Sequence, residues 1–306
     1  MQSCMSIKRQ VSSNMSSASL FARPAVLLAS LLLACSPDRD HQSRYGFTSA
    51  HDSIRAHSGS EYLDYYKGAE GLSGKPLRTY LHDKIKVALR LPYARVILEL
   101  EYTDADPDAP DKIVMIYSGR SLPADSAGAD PYQTWNREHI WAKSHGFPRV
   151  NMSAHTDLHH IRPCEISLNR LRGDSMFAEL SLAGGEPVVE APGARVDTQR
   201  SVFTPPTSVR GDIARMLFYM DIRYEGDDPR EPNLKIVDTL PNDLEHGVDS
   251  NGTGYHGYLR TLIKWHQDDP VDDFERQRNE RVFERQKNRN PFIDHPEYVT
   301  MMNWST

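Results

Sequence analysis

Residues 134–147 read TWNREHIWAKSHGF, and residues 155–174 read HTDLHHIRPCEISLNRLRGD. Residues 135–141 and 158–161 are predicted as two strands, followed by a helix over about 165–171, because short β-prone runs flank a polar loop and a helical pattern follows. A strand, a loop, a strand and a helix can bring Glu138, His139 and Asn169 to one point. An imidazole titrates near working pH, so His139 suits a general base. The carboxylate of Glu138 and the amide oxygen of Asn169 are hard ligands, which select Mg²⁺, with Mn²⁺ or Ca²⁺ as alternatives, over zinc. Neighbouring strand residues face opposite sides, so Glu138 and His139 can share a site only where the strand ends, bulges or twists, and an irregularity is expected near Glu138. Asn169 and Arg172 are three apart on a helix and share a face, which sets a metal ligand beside a phosphate-binding guanidinium.

Working outward, residues 65–85 suggest two short helices separated by a turn at 71–74, the second carrying Leu77, Leu81 and Ile85 at helical spacing. Residues 94–100 and 112–117 are β-like or short mixed apolar runs around an Asp/Pro-rich loop at 104–111. Residues 183–207 are a Gly/Pro-rich stretch, and helices are expected at 211–224, 256–268 and 270–287. Asp268, Asp269, Asp272 and Asp273, next to Pro270, read as helix N-terminal carboxylates rather than as a metal cluster. The segment 290–296 reads as structural docking. Tyr62, Tyr65, Trp135, Trp141, Phe218, Tyr219 and Tyr224 read as core before they read as base-stacking surfaces. His155, Asp157, His159 and His160 leave two readings open: a zinc site on one strand face, or hydrogen bonding within the fold that orients the metal site.

The chain has 306 residues, 39% hydrophobic and 25% charged, enough for one sizeable core. Lys8, Arg9 and Arg23 precede an apolar run at 25–34. That run is shorter than the roughly 20 residues of a spanning helix and fits a signal-peptide core ending in Leu32-Leu33-Ala34-Cys35. This resembles a bacterial lipobox, in which Cys35 is acylated. The expected organisation is a signal at 1–34, the acylated Cys35 and a polar tether to 58, and one domain from 59 to 306. Asp38 is not directly after Cys35, which favours the outer membrane. Cys4 leaves with the signal, so Cys164 has no partner for an internal disulfide in the mature chain. The formal charge is -6, and loss of 1–34 takes it to -9. Such a body opposes indiscriminate nucleic-acid binding, so any contact needs a local basic groove or a bridging cation.

The segments WNREHIW, AHTDLHH and SLNRLRGD, with flanks at 65–85, 210–227 and 262–299, resemble the endonuclease I family of bacterial exported and periplasmic DNases, which are His-Me finger (ββα-metal) nucleases. The resemblance spans about residues 60–304. It implies an α+β fold: a mostly helical single domain with a small sheet carrying the ββα-metal motif. It implies cleavage of DNA, often RNA as well, with little sequence preference and 5′-phosphate ends. By motif position the general base falls on His139 and the metal ligands on Glu138 and Asn169. The arginine on the scissile phosphate is not placed by these motifs; Arg172 is the first candidate, with Arg137 and Arg170 as the others. Ala142 stands where many members have proline, and the disulfides of some secreted members are absent. A competing reading is a lipoprotein of the same fold that binds DNA without cutting, against which the intact Glu138, His139 and Asn169 set argues. Another is a zinc phosphohydrolase using the 155–160 cluster. No obligate protein partner is implied.

Overall fold

Leu77, Leu81 and Ile85 form the buried face of α1, Gly74–Ile85, as their spacing predicts. The computed structural model describes residues 65–128, 134–181 and 183–304. The signal segment, Cys35, the tether and Tyr62 lie outside the described residues.

The apolar run expected to be β-like is instead a helix, α2, Val96–Thr103. Val96, Glu99, Leu100 and Thr103 are its buried residues, a three-and-four spacing that fits a helix face and not a strand. After it, β1 (Ala105–Asp106), β2 (Ala109–Val114) and β3 (Ser121–Pro123) form an antiparallel sheet in that order. The central hairpin pairs β4, Trp135–His139, with β5, Ile161–Glu165, setting Trp135 opposite Glu165 and His139 opposite Ile161. It leads straight into α3, Ile166–Arg172.

The second strand therefore begins three residues later than expected, and residues 158–160 are a turn. The cause is Asp157, whose Oδ1 accepts from the His159 amide at 3.0 Å and whose carbonyl accepts from the His160 amide at 3.3 Å. These bonds close a turn where a ladder would have run.

Residues 176–204 are more ordered than a Gly/Pro-rich stretch suggests. The strands β6 (Met176–Phe177), β7 (Glu186–Pro187), β8 (Arg195–Asp197) and β9 (Val202–Thr204) form a sheet in the order β6-β9-β8-β7. The helix α4, Arg210–Arg223, follows. A parallel pair, β10 (Asn233–Val237) with β11 (Thr253–Gly257), then interrupts the expected run of helices. The remaining helices are α5 (Leu259–Asp268), α6 (Asp273–Gln286), α7 (Pro291–Asp294) and α8 (Tyr298–Met301). The result is α+β, and all described residues fall in one compact unit. No helix among them is long and apolar enough to cross a membrane.

Helix α4 organises the core because it is buried from Gly211 to Arg223. A helix covered on all sides must find partners for every polar side chain it carries. Arg215 meets Glu275, Asp221 meets Arg78 at 2.6 Å, Arg223 meets Asp157, and Asp212 faces Arg162 at 3.5 Å. Gly211 is required by close approach: a Cβ there would lie 2.0 Å from the Asp269 carbonyl, while Asp269 Oδ2 accepts the Gly211 amide at 2.8 Å. Asp272 caps α6 by accepting from the Glu275 amide at 2.8 Å. Asp272 thus acts at the start of the helix it precedes, as its place after Pro270 predicts, whereas Asp268 ends α5 and Asp269 follows it, its carboxylate reaching the start of α4 instead. Asn290 caps α7 and its amide donates to the Arg215 carbonyl at 3.1 Å, while Phe292 is fully buried, so the C-terminal segment docks on the body.

Two apolar clusters flank the hairpin. Trp135 and Ile161 pack with Val96, Leu100, Ile113 and Val282, whereas Ile140, Trp141, Cys164 and Leu168 belong to the larger cluster around α4. A one-residue slip would expose both sets, and each large apolar side chain is worth about 1.5–3 kcal/mol on burial, so the register is strongly specified. Trp135 and Trp141 are core.

Burial depresses the histidines of this interior: His159 to about 3 and His160 to about 4. Both are neutral in the fold and charge more readily once it opens. Stability is therefore complete above the ordinary imidazole range near pH 6.5 and is lost as pH falls toward 4, at up to about 1.4 kcal/mol per pH unit for each such group. Urea midpoints should drop steadily between pH 6.5 and 4.5; a flat profile would contradict neutral burial of these rings.

Candidate active site

A cleft of about 340 Å³ opens where β4 ends, bounded by α3, the turn after Trp141 and the side chain of Tyr93. Glu138, His139, Asn169 and Arg172 all line it, with Arg137 and Lys143. The strand is regular up to His139 and then stops, so the irregularity expected at Glu138 is absent. Glu138 and His139 share the cleft because the ladder ends there.

Glu138 is 2% exposed. Its Oε1 accepts from the Tyr117 hydroxyl at 2.6 Å and from Arg172 Nη1 at 3.1 Å. Its Oε2 takes no protein donor among the described residues. Burial pushes this carboxyl above its ordinary value, with Arg172 and then Tyr117 opposing. The carboxylate is thus short of positive charge in the protein alone.

His139 places Nε2 3.1 Å from the His155 carbonyl. A carbonyl only accepts, so Nε2 carries the hydrogen and Nδ1 holds the lone pair. Burial holds this imidazole well below its ordinary value, with the neighbouring His160 adding to the effect. The ring is a neutral base of defined tautomer.

Asn169 donates Nδ2 to Asn136 Oδ1 at 2.6 Å and to the Arg137 carbonyl at 3.0 Å. Both amide hydrogens are engaged, which orients Oδ1 away from those acceptors. Two oxygens in one cleft, Glu138 Oε2 and Asn169 Oδ1, lack protein donors among the described residues, and this is a donor set suited to a hard divalent cation.

Arg172 shares the helix face with Asn169, as the spacing predicts, but its environment is not that of an open phosphate contact. It is 1% exposed. Nη1 donates to Glu138 Oε1 and to the His139 carbonyl at 2.8 Å, Nη2 donates to the Ile140 carbonyl at 2.8 Å, and the guanidinium lies 4.5 Å from the Phe177 ring centre. It ties the strand end to the helix. Arg170 is exposed and outside the cleft. Arg137 is half-buried in the cleft wall, its guanidinium 4.0 Å from the Tyr93 ring centre and its Nη1 3.2 Å from the Tyr93 carbonyl.

The 155–160 cluster does not lie on one strand. His155 Nδ1 meets the Phe147 carbonyl at 3.2 Å, His159 Nε2 the Asn288 carbonyl at 3.0 Å, and His160 Nε2 the Ala154 carbonyl at 2.8 Å. Asp157 accepts from Tyr219 and Tyr224 hydroxyls at 2.9 and 2.8 Å, from Gln286 at 2.7 Å, and from Arg223. Burial alone would raise this carboxyl, but Arg223 and the two histidines outweigh it and hold it below its ordinary value. Among the described residues no group of three His, Cys, Asp or Glu side chains is arranged to hold a metal. The zinc reading loses its geometric basis, and these residues instead fix the loop whose His155 carbonyl orients His139.

Sequence reading missed Tyr117, Tyr93, Asn136 and Lys143. Asn136 alternates with Glu138 along β4 and could have been flagged on that ground. Tyr117 reaches Glu138, and Tyr93 and Lys143 reach the cleft, from distant or loop positions that carry no periodic signal.

The endonuclease I family model matches residues 73–297. An extracellular ribonuclease of Bacillus subtilis (strain 168) is 42% identical over 236 residues, covering 77% of this chain and 76% of that protein. An extracellular ribonuclease of Bacillus amyloliquefaciens is 41% identical over the same shares. With the hairpin, helix and cleft residues inside the matched span, the chain belongs to the endonuclease I family and is a nuclease that hydrolyses phosphodiester bonds.

Proposed function

We propose that the protein is a metal-dependent, largely sequence-nonspecific endonuclease that cuts RNA as well as DNA and leaves 5′-phosphate ends, with β4, β5 and α3 serving as a ββα-metal unit. The observation that carries this reading is the meeting of a neutral His139 with two unclaimed oxygens, Glu138 Oε2 and Asn169 Oδ1, in one cleft. Those two residues would hold Mg²⁺, with Mn²⁺ or Ca²⁺ as alternatives. When bound, such an ion neutralises charge developing on the phosphate and its leaving oxygen.

His139 Nδ1 takes a proton from water as the water attacks phosphorus. The bond from Nε2–H to the His155 carbonyl keeps this tautomer and strengthens as the ring charges. The P–O bond to the 3′ oxygen breaks and that oxygen takes a proton from solvent water, so one fragment keeps a 5′-phosphate and the other a 3′-hydroxyl. Arg137, oriented by Tyr93, holds a phosphate at the cleft wall, and Arg172 fixes Glu138. Since water is the nucleophile, the ribose 2′-hydroxyl is not needed, and both nucleic acids are substrates by one route. The likeness to two extracellular ribonucleases supports RNA cleavage and export. Export with acylation at Cys35, in the outer membrane, is part of the same proposal and rests on the sequence at 25–35.

Supercoiled plasmid and a defined RNA should both be cut in Mg²⁺ and spared in EDTA. His139→Ala should lower the rate by about 10²–10⁴-fold. RNA fragments should carry 5′-phosphate and 3′-hydroxyl ends. Full activity in EDTA would remove the cation from the mechanism, and 2′,3′-cyclic phosphate ends would replace water with the 2′-hydroxyl as nucleophile.

Arg172→Met should act mainly on the fold. It leaves Glu138 without its buried partner, and breaking such pairs costs about 3–5 kcal/mol. Urea unfolding of the variant would measure this; unchanged stability with lost activity would restore Arg172 as a direct phosphate contact.

A further inference from the structure

We propose that Lys143 is a further catalytic residue, placing its ammonium on a non-bridging oxygen of the scissile phosphate. The inference deepens the nuclease reading above and rests on it. Lys143 lines the same cleft as Glu138, His139 and Asn169, and it is half-buried rather than extended into solvent.

The neighbouring arginines each have protein contacts of their own. Arg172 is held by Glu138 and two carbonyls, Arg162 is buried against Asp104 at 2.5 Å, and Arg137 lies against the ring and carbonyl of Tyr93 at the cleft wall, where it holds a phosphate. Lys143 Nζ has no hydrogen-bond or ion-pair partner among the described residues, although Asp174 lines the same cleft. Asp174 is instead engaged by the Ser144 hydroxyl at 3.3 Å and by His246 at 3.7 Å.

The backbone that carries Lys143 is fixed. The Lys143 carbonyl accepts from the Phe147 amide at 3.1 Å, the Ala142 carbonyl from the His145 amide at 2.9 Å, and the His145 carbonyl from Trp141 Nε1 at 2.9 Å. Gly254 presses against this turn so closely that a Cβ would lie 2.1 Å from the His145 carbonyl. A fixed backbone carrying an uncommitted ammonium brings a mobile positive charge within reach of the oxygen on which charge develops in the transition state. The charge also acts on both catalytic neighbours: it opposes the upward displacement of Glu138 and adds to the downward displacement of His139.

The test uses Lys143→Met and Lys143→Arg in the whole protein with Mg²⁺, beside His139→Ala. Substrates are a short single-stranded DNA and the p-nitrophenyl ester of thymidine 5′-phosphate, whose leaving group needs no proton. Lys143→Met should melt with the wild type, because its ammonium holds no protein group, while kcat falls by about 10²–10³-fold on both substrates. Lys143→Arg should recover part of that loss. A kcat within about threefold of wild type, or a loss confined to KM, would overturn the role. A loss seen with DNA but absent with the nitrophenyl ester would also overturn it, making Lys143 a proton donor to the leaving oxygen. If His139→Ala stays fully active, the proposed mechanism with His139 as base fails; if it is inactive while Lys143→Met is not, only this inference does.

Discussion

The buried guanidinium of Arg172 is the interaction on which the cleft depends. A charge this deeply buried has to be surrounded by acceptors, and Arg172 finds them in Glu138 and in the carbonyls of His139 and Ile140. Those carbonyls lie where β4 leaves β5. The ladder ends just past His139, at the bond from the Ile140 amide to the His160 carbonyl, and that end is what lets two consecutive side chains face one cleft. The bonds of Arg172 fix the end of α3, and with it the distance over which Asn169 can act with Glu138. The geometry of the cleft and the junction of strand and helix are therefore held by one side chain.

A second buried ion, Asp157, governs the loop between the strands. Its carboxylate joins Arg223, Tyr219 and Tyr224 at the end of α4 to Gln286 at the end of α6. The short turn just before it, Ser153–Thr156, contains the His155 carbonyl that sets the tautomer of His139. Ser153 is held in turn by Glu231, with 2.8 Å from its amide and 2.7 Å from its hydroxyl. His139 is thus oriented by contacts that lie far from it in sequence, and the loop that orients it is tied down at Ser153, His155 and Asp157.

This division explains what the sequence reveals. Glu138, His139 and Asn169 are legible because they sit in short local motifs, and α1 is legible because Leu77, Leu81 and Ile85 mark one face. Residues 96–103 are not: an apolar run this short satisfies strand and helix patterns about equally, and packing of Val96 and Leu100 against Val282 decides between them. The start of β5 is hidden for a similar reason, since Asp157 diverts residues 158–160 into a turn only once Arg223 is there to hold it. Arg172 was placed on the correct helix face, but face alone does not distinguish an inward guanidinium from one that reaches substrate. Tyr117 and Tyr93 come from outside both motifs, and no spacing rule connects them to Glu138 or Arg137.

The acidic balance of the chain takes on a sharper meaning in this light. Many of its arginines neutralise internal carboxylates: Arg162 and Arg278 meet Asp104, Arg215 meets Glu275, Arg223 meets Asp157 and Arg289 meets Asp294. These cations are not available to a polyanion outside, and so add nothing to the kind of broad basic field that nonspecific nucleic-acid binders use. Within the cleft His139 is neutral and Arg172 is matched by Glu138, which leaves Arg137 and Lys143 as the positive charge a phosphate would meet, with Asp174 set against them. Attraction confined to so few groups acts over a short range and on one phosphate at a time. It also leaves the Glu138 carboxylate short of positive charge, and a divalent cation at its free oxygen would meet that shortage and the phosphate's charge together.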